Sequence, residues 1–225
     1  MDLFDDLPLQ DTAPQTIAPG AVLLPGLARA WDDALLHAVD TVLSQSPLQH
    51  LVTPGGYTMS VASTCCGPLG WVSDAQGYRY GALDPRSGQP WPAMPPVFME
   101  LAQAAATQAG YSGFQPDACL INEYVPGARL SLHQDKDEKD LRAPIVSVSL
   151  GLPAIFQFGT TQRNGPTQRL RLVHGDVVVW GGPSRLAFHG VLPLADGHHA
   201  RVGRKRINVT FRQVRPKRQV QHDIN

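Results

Sequence analysis

Three features of the sequence predict an α+β protein whose core is an antiparallel double-sheet barrel of the jelly-roll kind, buttressed by helices. Eight short β runs separated by turn signals follow one another from Asp117 onward: ACLINEYV, RLSLH, IVSVSLG, AIFQFG, RLRLVHG, DVVVWGG, RLAFHGVL and RINVTFRQV. Two segments of helical periodicity precede them. With 225 residues, 43% of them apolar and 17% charged, the chain can bury a core and is too apolar for overall disorder.

In chain order, residues 1–20 are polar, carry Pro8, Pro14 and Pro19, and lack periodicity, which predicts a flexible tail. Leu27, Trp31, Leu35, Val39 and Val42 then recur at the spacing of an amphipathic helix running to about Leu43. A second helix should start near Pro96, whose fixed φ suits a first turn, and run through VFMELAQAAATQA to a cap at Gly110. Between the two, residues 51–95 are rich in Gly, Pro, Ser, Thr and aromatics and are broken by the turn former DPRSG. So long a stretch is too much for a plain connection and predicts a folded lid or binding flap. The expected organisation is one domain over residues 21–214, with its core at 117–214 and a basic tail at 215–225.

Net charge is zero, which argues against a broad basic face gripping duplex nucleic acid. The distribution is uneven: residues 1–20 hold four acids and no bases, whereas residues 201–225 hold eight bases and one acid. No apolar run approaches the ~18 residues of a membrane helix, and the acidic start is unlike a signal peptide. A soluble, cytoplasmic monomer is therefore expected. Cys65, Cys66 and Cys119 lack both disulfide-framework and zinc-finger spacing and read as free thiols.

His133 and Asp135 in LSLHQDKDE are two apart, so on a strand their side chains leave one face. His189 in LAFHG ends a later β run that could pair nearby. Two histidines and one carboxylate form the facial triad of non-haem Fe(II) oxygenases, although a zinc hydrolase also uses such a set. Taken alone, His-x-Asp with a distant His arises easily among eight histidines. A calcium loop over Asp135, Asp137, Glu138 and Asp140 fits poorly, because Lys136 and Lys139 interrupt it and no glycine supplies the sharp turn.

The last strand, RINVTFR, narrows the choice. Period 2 puts Ile207, Val209 and Phe211 on one face and Arg206, Asn208, Thr210 and Arg212 on the other. Two arginines aimed into a barrel with no acid between them require an anion, and a dicarboxylate matches guanidinium forks. Asn122 and Tyr124 share a face of LINEYVPG and add donors.

Together, NEYVPGARLSLHQDKDE, IVSVSLG, VVWGGPSRLAFHG, RINVTFRQ and the lid phrase TPGGYTMSV resemble the AlkB family of Fe(II)- and 2-oxoglutarate-dependent nucleic-acid dealkylases, over about residues 20–213. The resemblance implies a double-stranded β-helix with a nucleotide-recognition lid, in which His133, Asp135 and His189 hold iron. It implies that Arg206 grips the C5 carboxylate of 2-oxoglutarate, that Arg212 lies near its C1 end, and that Asn122, Tyr124 and Asn208 hydrogen-bond it. Dioxygen would be the second cosubstrate. The implied reaction oxidises an N-methyl carbon of 1-methyladenine or 3-methylcytosine, releasing formaldehyde and succinate. Its substrate would be alkylated DNA, single-stranded or locally opened, with RNA a further candidate.

A base attacked on its pairing edge must be flipped out or taken single-stranded, and lesions that block pairing lower that cost. Both lesions are cationic, so an aromatic plate and a carboxylate favour them. Trp71 and Tyr78 in the lid, with Asp137 and Glu138 beside the metal ligands, match the family's base pocket. Arg163 and the basic tail are expected at phosphates. Ser63 departs from the bulkier residue expected there, which bears on substrate range. Two other readings compete: an oxygenase of this fold acting on RNA, protein or a small molecule, and a non-catalytic jelly-roll module with a structural metal.

Overall fold

All eight β runs from Ala118 onward form strands. The computed structural model describes residues 12–216. Its elements are β1 (Gln15–Ala18), β2 (Ala21–Leu24), α1 (Asp32–Gln45), β3 (Gln49–Val52), β4 (Thr58–Cys66), β5 (Gly70–Asp74), β6 (Gly77–Gly81), α2 (Pro96–Gln108) and β7 (Ala118–Tyr124). There follow β8 (Leu130–His133), β9 (Ile145–Gly151), β10 (Ala154–Phe158), β11 (Gln168–Leu172), β12 (Val177–Trp180), β13 (His189–Val191) and β14 (Arg206–Arg212).

An eight-stranded sheet in the order β1-β2-β12-β9-β14-β7-β4-β3 faces a four-stranded sheet in the order β11-β10-β13-β8. The hairpin β5–β6 is a separate two-stranded sheet. Both faces of the large sheet are covered, which is why β9, β12 and β14 are buried at every residue. On the outer face, Phe98, Leu101, Ala102 and Ala105 of α2 and Leu35, Val39 and Val42 of α1 pack against Val146, Val148, Val177, Val209 and Phe211. The inner core, between the sheets, holds Tyr124, Phe156, Phe158, Val178, Trp180 and Val191. β14 serves both layers: Ile207, Val209 and Phe211 join the helix side, whereas Arg206, Asn208, Thr210 and Arg212 line an internal cavity.

The helices start and stop for local reasons. A 3-10 turn, Leu27–Trp31, precedes α1, whose first turn carries Asp32 and Asp33 against the positive end of the helix dipole. Pro96 occupies the first turn of α2, and Gly110 beyond its end adopts φ 89°, a conformation that glycine tolerates. Among the described residues no helix is long and apolar enough to cross a membrane.

Two expectations need correction. Residues 15–18 are not tail but the edge strand β1, paired with β2, so Pro14 and Pro19 flank a strand that needs no interior proline. The segment 51–95 is not all lid: β4 pairs with β7 inside the large sheet and carries β3 as the outer strand. Only β5–β6 and the chain to Pro95 stand outside it. Of the expected basic tail, Arg215 and Pro216 are described; Lys217 and Arg218 lie outside the described residues.

Candidate active site

β13 and β8 pair antiparallel with His189 directly opposite His133, so register alone brings together two histidines 56 positions apart in the chain. Asp135 does not share a strand with His133, since β8 ends at His133; the turn after the strand carries its carboxylate back. Asp135 Oδ1 lies 3.6 Å from His133 Nε2, and Oδ2 lies 3.9 Å from His189 Nε2. One ligand atom from each residue falls within 4.8 Å of the others, which is a spacing that one metal ion can bridge.

Both imidazoles are set for that task. His133 Nδ1 is 2.9 Å from the Ser131 carbonyl and His189 Nδ1 is 3.0 Å from the Ala187 carbonyl, so each Nδ1–H donates and each Nε2 lone pair turns to the centre. Burial, together with the facing His133, pushes His189 down to about 4, which keeps its imidazole neutral at pH 7. Burial opposes ionisation of Asp135, yet Arg212 and the two histidines outweigh it and hold the carboxyl well below the usual range. The indole of Trp180 meets the His189 ring edge-on at 4.9 Å.

The two arginines of β14 part company. Arg212 is not free of acids, as the sequence suggested: its Nε and Nη2 donate to Asp135 Oδ2 at 2.8 and 2.5 Å, and its Nε lies 3.4 Å from Glu138 Oε1. Arg206 is 1% exposed and meets no acid. Its Nη2 donates to Ser149 Oγ at 2.9 Å and its guanidinium lies 5.1 Å from the Tyr124 ring centre, but Nε and Nη1 are buried without a hydrogen-bond partner. Burial lowers its pKa, against the pull of Tyr124. A buried guanidinium with N–H groups unmet on Nε and Nη1 and no acid beside it fits an anion, and so fits a carboxylate of 2-oxoglutarate.

The residues expected at iron, cosubstrate and base, and Arg163, all line one cavity of about 820 Å³. Asn122 and Asn208 are side by side on β7 and β14, next to the facing pair Tyr124 and Arg206. At the mouth, Trp71 of β5 stacks on Tyr78 of β6 with ring centres 5.4 Å apart and planes 10° from parallel. Trp71 Nε1 donates to Asp137 Oδ2 at 3.0 Å, which ties the lid hairpin to the chain two residues past Asp135. Exposed Arg163 lies over the Phe188 ring at 5.7 Å.

Glu138 departs from its expected place facing a base. Its side chain is buried, accepts from Tyr80 Oη at 2.7 Å, and pairs with Arg185 Nη2 at 2.9 Å. Arg185, which the sequence reading missed, also donates to the carbonyls of Asp135 (2.7 Å) and Ala143 (3.0 Å). Its only sequence signal is its place four residues before His189. Tyr80, Glu138, Arg185, Arg212 and Asp135 thus form one ionic network from the lid hairpin to the triad.

Residues 20–212 match the model of the 2OG-Fe(II) oxygenase superfamily. The chain belongs to that superfamily. It is 60% identical to the Alpha-ketoglutarate-dependent dioxygenase AlkB of Escherichia coli over 214 residues, covering 95% of this chain and 97% of the relative. The corresponding protein of Salmonella typhimurium is 57% identical over 96% of this chain and 99% of its own length. Within the superfamily the chain is therefore an AlkB-family dioxygenase, and Fe(II), 2-oxoglutarate and dioxygen are its cofactor and cosubstrates. More distantly, the tRNA demethylase abh1 of Schizosaccharomyces pombe is 36% identical over 67% of this chain and 54% of its own. Among solved structures, that of OsALKBH1 superposes with a TM-score of 0.78 at 28% identity, covering 89% of this chain and all of that one.

Proposed function

We propose that this dioxygenase removes N-linked methyl groups from the pairing edge of DNA bases, 1-methyladenine and 3-methylcytosine, in single-stranded or locally opened DNA. The observation that carries the reading is the shared cavity: the triad His133, Asp135 and His189, the acid-free guanidinium of Arg206, and an aromatic-carboxylate mouth built by Trp71 and Asp137 all line one space. When bound, iron and 2-oxoglutarate supply the oxidising power, with dioxygen as the source of the transferred oxygen.

The chain's own residues bind, orient and select. His133, Asp135 and His189 would hold the metal through two Nε2 atoms and a carboxylate kept ionised by Arg212. Arg206 would take the distal carboxylate of 2-oxoglutarate, with Tyr124 and Asn122 beside it; Asn208, expected to hydrogen-bond the cosubstrate, lines the cavity but already spends both Nδ2 hydrogens on Ser147 and Val148. At the mouth, Trp71 and Tyr78 offer aromatic faces to a flipped base, and Asp137 places negative charge beside a cationic ring. Arg163 would meet a neighbouring phosphate. A cytoplasmic monomer suits this reading.

The test is to incubate the protein with Fe(II), 2-oxoglutarate and methylated oligonucleotides, and to measure formaldehyde and succinate. Equimolar release that depends on Fe(II) and is faster on single strands supports the reading. Succinate without formaldehyde on every DNA and RNA oligonucleotide would assign the oxygenase another substrate.

A further inference from the structure

Antiparallel pairing sets Ser63 of β4, Asn122 of β7, Asn208 of β14 and Ser149 of β9 side by side, a polar rung across four neighbouring strands. Ser63, Asn122 and Asn208 line the cavity that holds the triad. The two amides differ in what the protein leaves them. Asn208 is fully committed: its Nδ2 donates to Ser147 Oγ (2.8 Å) and Val148 O (2.9 Å), and its Oδ1 accepts from Thr210 (3.0 Å). Asn122 has one bond, in which its Oδ1 accepts from Ser63 Oγ at 2.6 Å. Among the described residues nothing accepts from its Nδ2.

An asparagine amide can turn end for end, because its χ2 profile is broad and its two ends are nearly equal in size. The end that faces the cavity matters here. The N–H₂ end would attract a carboxylate or keto oxygen, whereas the carbonyl end would repel it. In the arrangement found, the Ser63 hydroxyl donates to Oδ1 and leaves Nδ2 facing inward; the flipped amide could still donate to that hydroxyl, but it would turn its carbonyl on the oxygens of the cosubstrate. Both residues are buried, 3% and 7% exposed, and the low-dielectric surroundings strengthen the bond. An apolar side chain at position 63 would leave the amide without that orienting partner.

We propose that Ser63 is a positioning residue for 2-oxoglutarate, locking the Asn122 amide so that Nδ2 donates to an oxygen of the cosubstrate. The proposal rests on the assignment of this cavity to 2-oxoglutarate. It makes the small residue at position 63 a partner of the cosubstrate as well as a source of room.

The test uses the full chain loaded with Mn(II), which does not turn over, and titrates 2-oxoglutarate by calorimetry. Ser63→Ala should weaken 2-oxoglutarate by roughly 5- to 10-fold, the size of one net hydrogen bond, with Mn(II) affinity unchanged. Ser63→Thr, which keeps the hydroxyl and suits a strand, should recover most of the loss. In an Asn122→Ala background Ser63→Ala should cost nothing more, since the hydroxyl then has no amide to orient. With Fe(II) and methylated oligonucleotide, KM for 2-oxoglutarate should rise while kcat holds. Should the alanine variant not fold, the near-isosteric Ser63→Cys, a weaker donor, takes its place in each comparison. Unchanged 2-oxoglutarate affinity in Ser63→Ala, or a full additive loss on top of Asn122→Ala, overturns the positioning role alone. Failure of the unmodified Mn(II) protein to take 2-oxoglutarate overturns the cosubstrate assignment with it.

Discussion

The charge on Asp135 and the charge on Arg206 are handled in opposite ways, and each makes a prediction. Asp135 is neutralised within the protein by two bonds from Arg212, so its carboxylate is pre-aimed before any metal arrives. Asp135→Ala should abolish Fe(II)-dependent turnover and weaken Mn(II) binding at least tenfold while the circular dichroism spectrum is kept, since Glu138 still meets Arg212. Near-normal demethylation by that variant would remove Asp135 from the ligand set. Arg206, in contrast, is buried with two unmet donors, a cost the fold carries on behalf of an anion. Arg206→Met should therefore stabilise the metal-free protein by about 1–4 kcal/mol while ending 2-oxoglutarate binding. A melting temperature that falls instead would mean that Ser149 and Tyr124 already satisfy the guanidinium. The sequence made this arginine legible because β14 keeps strict period 2. It hid the Arg212–Asp135 pair, which joins positions 77 apart through a loop that no strand pattern describes.

The lid hairpin shows how an element holds a residue in place. Trp91 clamps its base from both strands: a Cβ on Gly70 would come within 2.3 Å of the Trp91 ring, and Trp91 Nε1 donates to Gly81 O at 3.0 Å. Gly70→Ala should therefore displace Trp91 and shift Trp71, the next residue, without touching the triad. The expected result is loss of oligonucleotide-stimulated succinate formation, with the slow basal rate retained. Trp71→Ala should behave alike and lose about 5- to 150-fold in demethylation efficiency, the range for one stacking contact. Asp137 has two duties, which substitutions separate. Asp137→Asn keeps an acceptor for Trp71 Nε1 and removes only the charge, so it should lose activity on cationic lesions and spare neutral adducts, whereas Asp137→Ala should lose both. Equal loss on both lesion classes in Asp137→Asn would end the electrostatic account. The helices α1 and α2, with their 3.6-residue spacing, and β7 to β14, as short apolar runs set off by turn signals, were legible in the sequence. The four strands β1 to β4 were not: β1 to β3 are four residues each, and β4, TMSVASTCC, has no apolar run and lies in a stretch whose Gly, Pro, Ser and Thr read as loop.

At the scale of the whole molecule, the large sheet divides labour between its faces. Its outer face is apolar and rests on α1 and α2; its inner face carries the arginines, amides and serines of the cavity. Phe211 and Arg212 are adjacent in β14 yet belong to different tasks, one meeting Phe98 of α2 edge-on at 5.7 Å, the other holding Asp135. Stability and chemistry should therefore respond to different substitutions. Phe98→Ala removes a fully buried ring from the helix side and should cost about 3–5 kcal/mol. Because strand register, rather than helix packing, brings His133 and His189 together, the folded fraction of Phe98→Ala should keep its KM for 2-oxoglutarate and its Mn(II) affinity within about twofold, an effect under 1 kcal/mol. Arg206→Met should do the reverse, with a higher melting temperature and no cosubstrate binding. Measuring melting temperature and 2-oxoglutarate affinity for both variants gives four numbers, and the crossed pattern is the expected outcome. A parallel loss of affinity and stability in Phe98→Ala would show that α2 shapes the cavity through the sheet, and that the two faces act as one unit.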